Sequence, residues 1–385
     1  MTENTPQRRL RLGMVGGGPG AFIGAVHRMA SRLDDDYELV AAAPSSDAGR
    51  ALASGLELGL AADRIYGDFR AMATREAARE DGIDVVAIVV PNHLHYDVAR
   101  AFLLAGTHVI CDKPLTTTRA DAEALLALAR ERKLLVALTH NYTGYPLVRA
   151  AREMVHAGAI GDVRVVQVEY AQDWLAQPIE AGGHKQAEWR TDPARAGPAG
   201  CLGDIGSHAA HLASFVTGMT PSEINAELAT FVAGRRVDDH VQVMLRYASG
   251  ARGMLWASQV AAGEENALRL RVYGSRGSLR WCQEQPNELW LAELGAPLRR
   301  LTRGTPGLPQ SAIAATRLPP GHPEGFIEAF AQLYRDFAAD VRDHARGQAA
   351  RTLRVPGLED GVRSLAFIEA ALQSHARGSV WVALA

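Results

Sequence analysis

Apolar runs and helix-like stretches alternate along the first 140 residues of the chain. The runs consist almost entirely of Val, Ile, Ala and Leu, which is typical of strands covered on both faces. They fall at residues 10–15, 39–43, 85–90, 108–111 and 134–138, and the helix-like segments at 48–58, 97–104 and 119–133. This alternation predicts an α/β fold with a doubly wound parallel sheet.

The pattern changes beyond His140 to a helix at 146–157 and longer strands with period-2 features. These strands are predicted at 163–170, 223–231, 241–247, 252–258 and 268–273, with a hairpin turn at Ser249-Gly250. Two closing helices, near 323–346 and 357–377, should pack on this sheet or back on the first domain. We therefore predict a second, α+β domain with a largely antiparallel, open-faced sheet, dividing the chain into residues 1–140 and 141–385.

Charge and composition exclude several classes of partner. The 41 basic and 43 acidic residues give a net charge of −2 and form no long runs, so a nucleic-acid or membrane-surface partner is not expected. No apolar run reaches the roughly 18–20 residues that span a bilayer, and residues 1–9 are polar, which predicts a cytoplasmic protein. Cys111, Cys201 and Cys282 lack metal-site or disulfide spacing and should be reduced thiols.

A glycine-rich turn follows the first strand-like run and precedes a helix-like run. Gly16, Gly18 and Ala21 fit the G-x-G-x-x-G/A fingerprint, in which the glycines permit a tight turn and close backbone approach to a pyrophosphate. The small third residue lets helix and strand pack closely. The phosphates would meet the amides of the following helix, so the context predicts a dinucleotide site rather than a merely flexible loop.

Two later motifs carry reactive side chains. Lys113 ends an apolar strand and precedes Pro114, whereas Asp204 and His208 lie four residues apart behind a glycine-rich entry. That spacing predicts that Asp204 and His208 share one helix face. A lysine, an acid and an imidazole suit alcohol–ketone chemistry, with His208 as the base, Lys113 as a donor to the reacting oxygen and Asp204 orienting or stabilising the imidazole.

These motifs together resemble the Gfo/Idh/MocA family, which includes glucose–fructose oxidoreductase and inositol dehydrogenases. The resemblance covers nearly the whole chain: the glycine fingerprint, Val90-Pro91-Asn92-His93-Leu94-His95, Cys111-Asp112-Lys113-Pro114-Leu115 and Gly203-Asp204-Ile205-Gly206-Ser207-His208. It implies a Rossmann domain that binds NAD(P), a sheet that forms a homodimer or homotetramer, and catalysis by Lys113, Asp204 and His208. The predicted cofactor contacts are Gly16, Gly18, Pro19, Gly20, Ala21, Ser45, Ser46, Pro91, Asn92, His95, Asp112 and Lys113.

The chain departs from the family pattern at several positions. If His27 matches the histidine that commonly follows the fingerprint, a short extra segment lies near residues 22–25. Independently of this, Asp112 replaces the more usual glutamate, and His211 stands where many members have an acid. No acid stands at the tip of the second strand, where one would bind a ribose 2′-hydroxyl. Asp47 could cap the next helix and Arg50 could meet a 2′-phosphate. NAD is the favoured cofactor and NADP the alternative.

The segment 172–200 is long and irregular, which favours a functional loop. The predicted substrate contacts are Lys113, Tyr142, His184, Lys185, Trp189, Arg190, Asp204 and His208, with Tyr145 and Trp174 nearby in sequence. Such residues suit a sugar, cyclitol or glycoside, including an anionic one, although a solvated basic loop is the alternative.

The leading hypothesis is an NAD(P)-dependent dehydrogenase acting on a secondary ring hydroxyl. The resemblance also allows an NAD-dependent glycoside hydrolase, in which transient oxidation with tightly held NAD permits elimination of the leaving group. A nucleotide-sensing regulator is less favoured because the three reactive positions are filled. A metal site of Cys201, Asp204, His208 and His211 is less favoured too, because Cys201 lies in the loop and Lys113 would crowd a cation.

Overall fold

The computed structural model describes residues 8–18, 20–348 and 353–384. It forms two compact units. The first contains the described residues up to Thr116, together with Ala120–Thr139 and Phe330–Gly361. The second contains Thr117–Arg119, His140–Ala329 and the described part of Val362–Ala385. Within the described ranges, no helix has the length and apolar character needed to cross a bilayer.

The first unit is built on a five-stranded parallel sheet of order β2-β1-β3-β4-β5. Its strands are β1 (Leu10–Gly16), β2 (Tyr37–Ala43), β3 (Val85–Val89), β4 (His108–Cys111) and β5 (Val136–Leu138). The helices between them are α1 (Phe22–Leu33), α2 (Ala48–Glu57), α3 (Phe69–Ala77), α4 (His95–Leu104) and α5 (Arg119–Arg132). The predicted doubly wound parallel sheet is confirmed, and α3 is an element that the sequence pattern did not reveal.

The strand order places a switch in winding direction between β1 and β3, which pair with each other in parallel. All five residues of β3 are buried, as expected for a central strand covered on both faces. In open α/β sheets ligands bind beyond the carboxyl ends of the strands at such a switch point. The glycine turn after β1 and the segment from Pro91 onward both lie at that edge.

The second unit contains a nine-stranded sheet of order β13-β12-β11-β10-β6-β9-β8-β7-β14. Its strands are β6 (Val163–Ala171), β7 (Glu223–Ala229), β8 (His240–Arg246), β9 (Arg252–Ser258), β10 (Ala267–Gly274), β11 (Gly277–Cys282), β12 (Glu288–Glu293), β13 (Arg299–Thr302) and β14 (Val382–Ala383). Only β6 and β9 pair in parallel among these strands of the described chain, so the prediction of a largely antiparallel sheet is confirmed.

One face of this sheet is buried and the other is open. Along β8 and β9, Val241, Val243 and Leu255 are buried, whereas Met244 and Met254 on the opposite face are 47% and 43% exposed. The helices of the remaining chain are α6 (Pro146–His156), α7 (Lys185–Arg190), α8 (Pro193–Ala196), α9 (Ser207–Thr217), α10 (Gln310–Ala315), α11 (Phe326–Ala345) and α12 (Leu358–Ala376). The short helices α7 and α8 lie within the segment 172–200, which is therefore not irregular throughout.

Most of α11 belongs to the first unit, although it lies about 200 residues beyond β5 in sequence. Phe330, Tyr334 and Phe337 are among the largest fully buried side chains of the protein. The Tyr37 hydroxyl donates to the carbonyl of Tyr334 at 3.0 Å. The amide of Leu138 on β5 donates to the carbonyl of Pro356 at 2.8 Å. The late segment thus completes the core around the parallel sheet.

Candidate active site

The glycine turn after β1 has the geometry of a phosphate cradle. Gly16 has φ +84°, and a Cβ there would overlap the Val89 carbonyl oxygen. A Cβ at Gly18 would lie 2.7 Å from the Pro44 carbonyl oxygen. Helix α1 begins after Ala21, with no side-chain cap and no acid in its first turn. The turn therefore leaves backbone amides and a positive helix end for a pyrophosphate, as NAD requires.

The tight contact between the turn and α1 falls on Gly24. A Cβ at Gly24 would overlap Gly17, so a larger residue would push the helix away from the turn. Gly20 has φ +76° and Ala21 donates its amide to the Gly18 carbonyl at 3.1 Å. Gly24 thus supplies the close packing that the fingerprint assigns to its third small residue. The predicted contact Pro19 lies outside the described residues.

The tip of β2 is followed by a capped helix start. The Asp47 carboxylate accepts the amide of Arg50 at 2.8 Å as N-cap of α2, which is the capping role considered for it from the sequence. The Ser45 hydroxyl accepts the amide of Asp47 at 3.2 Å. Ser45 and Ser46 stand at the strand tip, and the Arg50 side chain is 76% exposed.

His95 ties together two of the predicted cofactor motifs. Its Nδ1 lies 2.7 Å from the Pro114 carbonyl oxygen and its Nε2 lies 2.9 Å from the Val90 carbonyl oxygen. The ring is fully buried, and desolvation lowers its pKa. Asn92, which is also nearly buried, begins a short 3₁₀ turn after Pro91. The imidazole thus holds the end of β3 against the peptide that follows Lys113.

Asp112 is engaged within its own unit. Its Oδ1 accepts from the Thr139 hydroxyl at 2.6 Å and lies 3.0 Å from His27 Nε2. His27 Nδ1 in turn lies 2.7 Å from the Tyr334 hydroxyl. Burial alone would raise the pKa of Asp112, but His27 and Thr139 lower it overall. These contacts of the carboxylate therefore fix the position of Asp112, which precedes Lys113. Lys113 itself is partly buried.

In the second unit, Asp204 lies on a single π-helical turn, Leu202–Gly206, that leads into α9. The buried Asp238 holds the entry: its two carboxylate oxygens accept the amides of Gly200 and Leu202, each at 2.7 Å. Burial raises the pKa of Asp238 to about 6. Short π turns inside helices are frequent at functional sites. Here the turn leads directly from Asp204 into the first turn of α9, which carries His208.

The side chains of Gln259 and Arg190 both contact the Asp204 carboxylate. Gln259 Nε2 donates to Oδ2 at 2.9 Å, and Arg190 Nε forms an ion pair with the same oxygen at 3.3 Å. The Arg190 guanidinium lies 4.2 Å from the ring centroid of Trp189 and 5.9 Å from that of Trp174. One amide and one cation are therefore among the partners of the acid, and that cation packs against two indoles.

His208 is surrounded by aromatic and imidazole rings. Its ring centroid lies 4.9 Å from that of Tyr142, 5.4 Å from that of His140 and 6.4 Å from that of Tyr170. The hydroxyls of Tyr142 and Tyr170 are hydrogen-bonded to each other. Burial raises the pKa of Tyr142 to about 12, so its phenol keeps its proton at neutral pH.

A chain of polar contacts continues from Tyr170 to the segment 172–200. Tyr170 donates to Asn266 Oδ1 at 2.8 Å, and Gln172 Nε2 donates to the same oxygen at 2.7 Å. Trp174 Nε1 donates to Gln172 Oε1 at 3.0 Å. Because Trp174 also faces the Arg190 guanidinium, the chain links the surroundings of His208 with those of Asp204.

The remaining predicted residues of the segment 172–200 have other contacts. His184 accepts the amide of Ala187 at 3.3 Å as N-cap of α7, and Lys185 is exposed. Trp189 Nε1 donates to Gln186 Oε1 at 3.3 Å. The structure thus brings together Tyr142, Arg190, Asp204 and His208 of the predicted set in the second unit, while His184 and Lys185 face solvent.

No metal centre is found in the parts of the chain that the structure describes: no three His, Cys, Asp or Glu side chains there are placed to hold an ion. Cys201 is fully buried, and burial raises its pKa well above the usual value for a thiol. His211 stacks on His140 with ring centroids 3.9 Å apart.

Sequence reasoning missed four residues around Asp204 and His208, namely Tyr170, Asp238, Gln259 and Asn266. Each lies at or beside a strand of the nine-stranded sheet. Their only sequence signal is a polar or amphipathic side chain close to a buried strand end, and that signal does not identify a partner.

Comparisons with known proteins agree with this geometry. A model described as an oxidoreductase family with an NAD-binding Rossmann fold matches residues 10–140, and the GFO/IDH/MocA C-terminal domain matches residues 148–280. The uncharacterized oxidoreductase YfiI of Bacillus subtilis (strain 168) is 35% identical over 385 residues, which is 99% of this chain and 98% of that protein.

Two further similar proteins have named ligands or substrates. The levoglucosan dehydrogenase of Pseudarthrobacter phenanthrenivorans is 30% identical over 310 residues, covering 74% of this chain and 76% of its own. The crystal structure of an inositol dehydrogenase homolog from Azotobacter vinelandii, complexed with NADH and myo-inositol, is 36% identical with a TM-score of 0.92, covering 98% of both chains. The matches to both domains and to a full-length relative show that the protein belongs to the Gfo/Idh/MocA family of NAD-binding oxidoreductases.

Proposed function

We propose that the protein transfers a hydride from a secondary ring hydroxyl of a neutral sugar, cyclitol or glycoside to NAD. The observation that carries this proposal is the arrangement around the π turn, where Asp204 is held by Arg190 and Gln259, and His208 follows on the next turn. Two similar proteins are named for, or were crystallised with, uncharged polyhydroxylated rings. An acid beside an imidazole is suited to removing a hydroxyl proton.

The contacts of the cationic residues favour a neutral substrate over the anionic one that the sequence allowed. Arg190 is paired with Asp204, His184 caps α7, and Lys185 points to solvent. A carboxylate or sulfonate on the substrate would have to compete with Asp204 for the Arg190 guanidinium. Uncharged hydroxyl groups instead match the hydrogen-bonding amide and phenol groups near Asp204 and His208.

In this proposal each reactive residue has one task. NAD, when bound, accepts the hydride. His208 accepts the hydroxyl proton, and the Asp204 carboxylate stabilises the imidazolium that results. Tyr142 keeps its proton because burial raises its pKa to about 12, and it donates that proton to the Tyr170 hydroxyl, whose own proton goes to Asn266. Its phenol oxygen therefore serves as an acceptor for a substrate hydroxyl. Lys113 donates to the reacting oxygen and stabilises its developing negative charge.

The experiment begins by releasing and identifying any nucleotide carried by the purified protein. The protein is then incubated with NAD or NADP and a panel containing myo-inositol, levoglucosan, their anionic analogues and aryl glycosides. We expect reduced NAD to accumulate with a neutral ring, and His208→Asn to abolish that signal while retaining NADH binding. A preference for anionic analogues, or full activity in His208→Asn, would contradict the proposal.

The same assay separates dehydrogenation from redox-assisted glycoside hydrolysis. A dehydrogenase releases reduced cofactor in proportion to the substrate consumed. A glycosidase that regenerates its cofactor in each turnover would release the aryl leaving group while the bound NAD stayed constant. That second outcome would replace the dehydrogenase proposal with the hydrolase.

We further propose that the open face of the nine-stranded sheet pairs with a second copy of the chain, giving a homodimer or homotetramer. A groove of about 290 Å³ on that face is lined by residues that include Met244, Met254, Trp256 and Arg269. Partly exposed methionines on a flat sheet are typical of a surface that becomes covered. Light scattering should give a mass of two or four chains, and Met254→Glu should lower it.

A further inference from the structure

The contacts of Arg190 single it out from the other basic residues of the segment 172–200. Besides the ion pair with Asp204, the guanidinium donates to Gln186 Oε1 at 2.7 Å and to the Gln186 carbonyl at 3.1 Å. It also lies over the rings of Trp189 and Trp174. Ordinary surface arginines gain little from a single carboxylate partner. Arg190 instead has five contacts that fix its position.

The ion pair is partly shielded from water. The side chains of Arg190 and Asp204 are 25% and 23% exposed, whereas the Arg236 side chain, which pairs with Asp192 in a nearby part of the same unit, is 68% exposed. Shielding and packing against two indoles strengthen a charge pair relative to a solvated one. The Arg190–Asp204 pair is therefore a partly buried and well-packed ion pair, whereas the Arg236–Asp192 pair is solvent-exposed.

We propose that Arg190 is a positioning residue for Asp204: together with Gln259 it fixes the orientation of the carboxylate, and it offsets the negative charge that would otherwise tighten proton binding by His208. This inference rests on the proposed function, in which His208 accepts the substrate proton. An imidazole beside a carboxylate that has lost a cationic partner holds its proton more strongly. The cation thus keeps His208 free to act as a base.

The other groups around this pair do not replace Arg190. Titratable groups that lie near His208 or Asp204 in the second unit include Tyr142, Tyr170, His140 and Cys201. His211 stacks on His140, and Asp238 binds the entry of the π turn. Burial raises the pKa of both tyrosines and of Cys201 well above neutrality, and Asp238 binds backbone amides. Arg190 therefore supplies the Asp204 carboxylate with a permanent positive charge that none of these groups provides.

The proposal also gives the segment 172–200 a definite role. Trp174 connects Arg190 through Gln172 and Asn266 to Tyr170, whose hydroxyl is bonded to that of Tyr142. A displacement of α7 would therefore change the charge at Asp204 and the packing around His208 together. The segment acts on the proton-accepting group through Arg190, without its exposed cations having to touch substrate.

The test compares Arg190→Gln and Arg190→Lys with Arg236→Gln, which removes a cation from an exposed ion pair in the same unit. We expect Arg190→Gln to lower kcat at least about tenfold with a smaller change in KM, and to move the rising limb of the kcat pH profile to higher pH. Arg190→Lys should restore part of the rate and of the pH profile. Arg236→Gln should match the wild type in both.

A second readout is independent of substrate. The titration of the His208 imidazole is followed by NMR with labelled histidine, and its signal is assigned by its loss in His208→Gln. The midpoint should rise in Arg190→Gln by roughly one pH unit, a tenfold gain in proton affinity, and stay unchanged in Arg236→Gln. An unchanged midpoint in Arg190→Gln would overturn the inference. A wild-type protein inactive on every ring alcohol would instead count against the proposed function, and the midpoint would still decide the role of Arg190.

Discussion

Lys113 and Asp204 are held by contacts of different kinds. Beside Lys113, the Asp112 amide donates to the Ile88 carbonyl at 3.2 Å, and the His95 ring lies between the Val90 and Pro114 carbonyls, to one of which its single N–H donates. These partners are mostly backbone atoms of neighbouring parallel strands. Asp204 depends instead on the side chains of Arg190 and Gln259, the latter 55 residues further along the chain. Backbone contacts, here called the backbone frame, persist when most single side chains are replaced. Side-chain contacts such as those of Asp204 are lost when the one residue that makes them is replaced.

The largest expected effect comes from Lys113→Met. The backbone frame should persist without the ammonium group, so the fold and NADH binding should be retained while kcat/KM falls by roughly 1,000-fold or more. Steady-state formation of reduced cofactor and NADH fluorescence titration measure the two quantities. If NADH binding were lost to the same extent as turnover, the Lys113 side chain would itself be needed to hold the cofactor site together. The proposed difference between the surroundings of Lys113 and those of Asp204 would then be wrong.

A substitution in the glycine turn tests the backbone frame directly. In Gly16→Ala, the left-handed φ and the overlap with the Val89 carbonyl together should weaken NADH binding by about 10- to 100-fold. Gly59→Ala is the matched control, because Gly59 has φ +76° and no heavy atom near its Cβ position. Equal NADH affinities in the two variants would show that the close approach at Gly16 does not determine cofactor binding.

Asp238→Asn probes the anchor of the π turn. The pKa of Asp238 is raised by burial to about 6, so the folded protein binds a proton there more tightly than the unfolded chain. This group's contribution to the free energy of unfolding is therefore full below about pH 4 and is lost as pH rises towards and through 6. The stability difference between wild type and variant should change by up to about 1.4 kcal/mol per pH unit over that range.

Urea unfolding at a series of pH values measures this difference. A difference that is constant from pH 4 to 7 would show that Asp238 does not titrate as its burial implies. Because the asparagine retains only one of the two amide contacts, kcat should also fall about tenfold through misplacement of Asp204.

The smallest expected effect is that of Asp47→Ala. Loss of the N-cap of α2 should cost about 1 kcal/mol of unfolding free energy. Because the Asp47 side chain is half exposed and engaged by the Arg50 amide, the ratio of NAD to NADP affinity should change less than about twofold. Urea unfolding and parallel NAD and NADP titrations measure both. A large shift in cofactor preference would assign Asp47 to ribose recognition.

The same difference in contacts explains what the sequence could predict. Parallel strands with nearly continuous apolar runs, and turns that require glycine, have local signatures, so the sheet of the first unit and the Gly16–Gly18 turn were predictable. Helix α3 was missed because it is short and only weakly amphipathic. Strand β12 carries Trp290 between the buried Leu289 and Leu291, so consecutive apolar residues replace the expected alternation of apolar and polar residues.

The partners of Asp204 could not be predicted, because no local pattern joins positions 190, 204 and 259. The segment 172–200 was expected to be irregular because α7 and α8 are only six and four residues long, too short for a helical period to be visible. Its residues were chosen by chemical type. The structure distinguishes them by contact, with Arg190 bound to Asp204 and Lys185 exposed.

The aromatic side chains of α11 have a consequence for how the protein is synthesised. Strands β1 to β5 leave the ribosome long before Phe330, Tyr334 and Phe337, which fill the core beside them. Until that late segment emerges, His27 and Tyr37 lack their contacts with Tyr334. The nascent nucleotide-binding sheet therefore exposes an unfilled apolar surface during most of translation, and chaperones would meet it there.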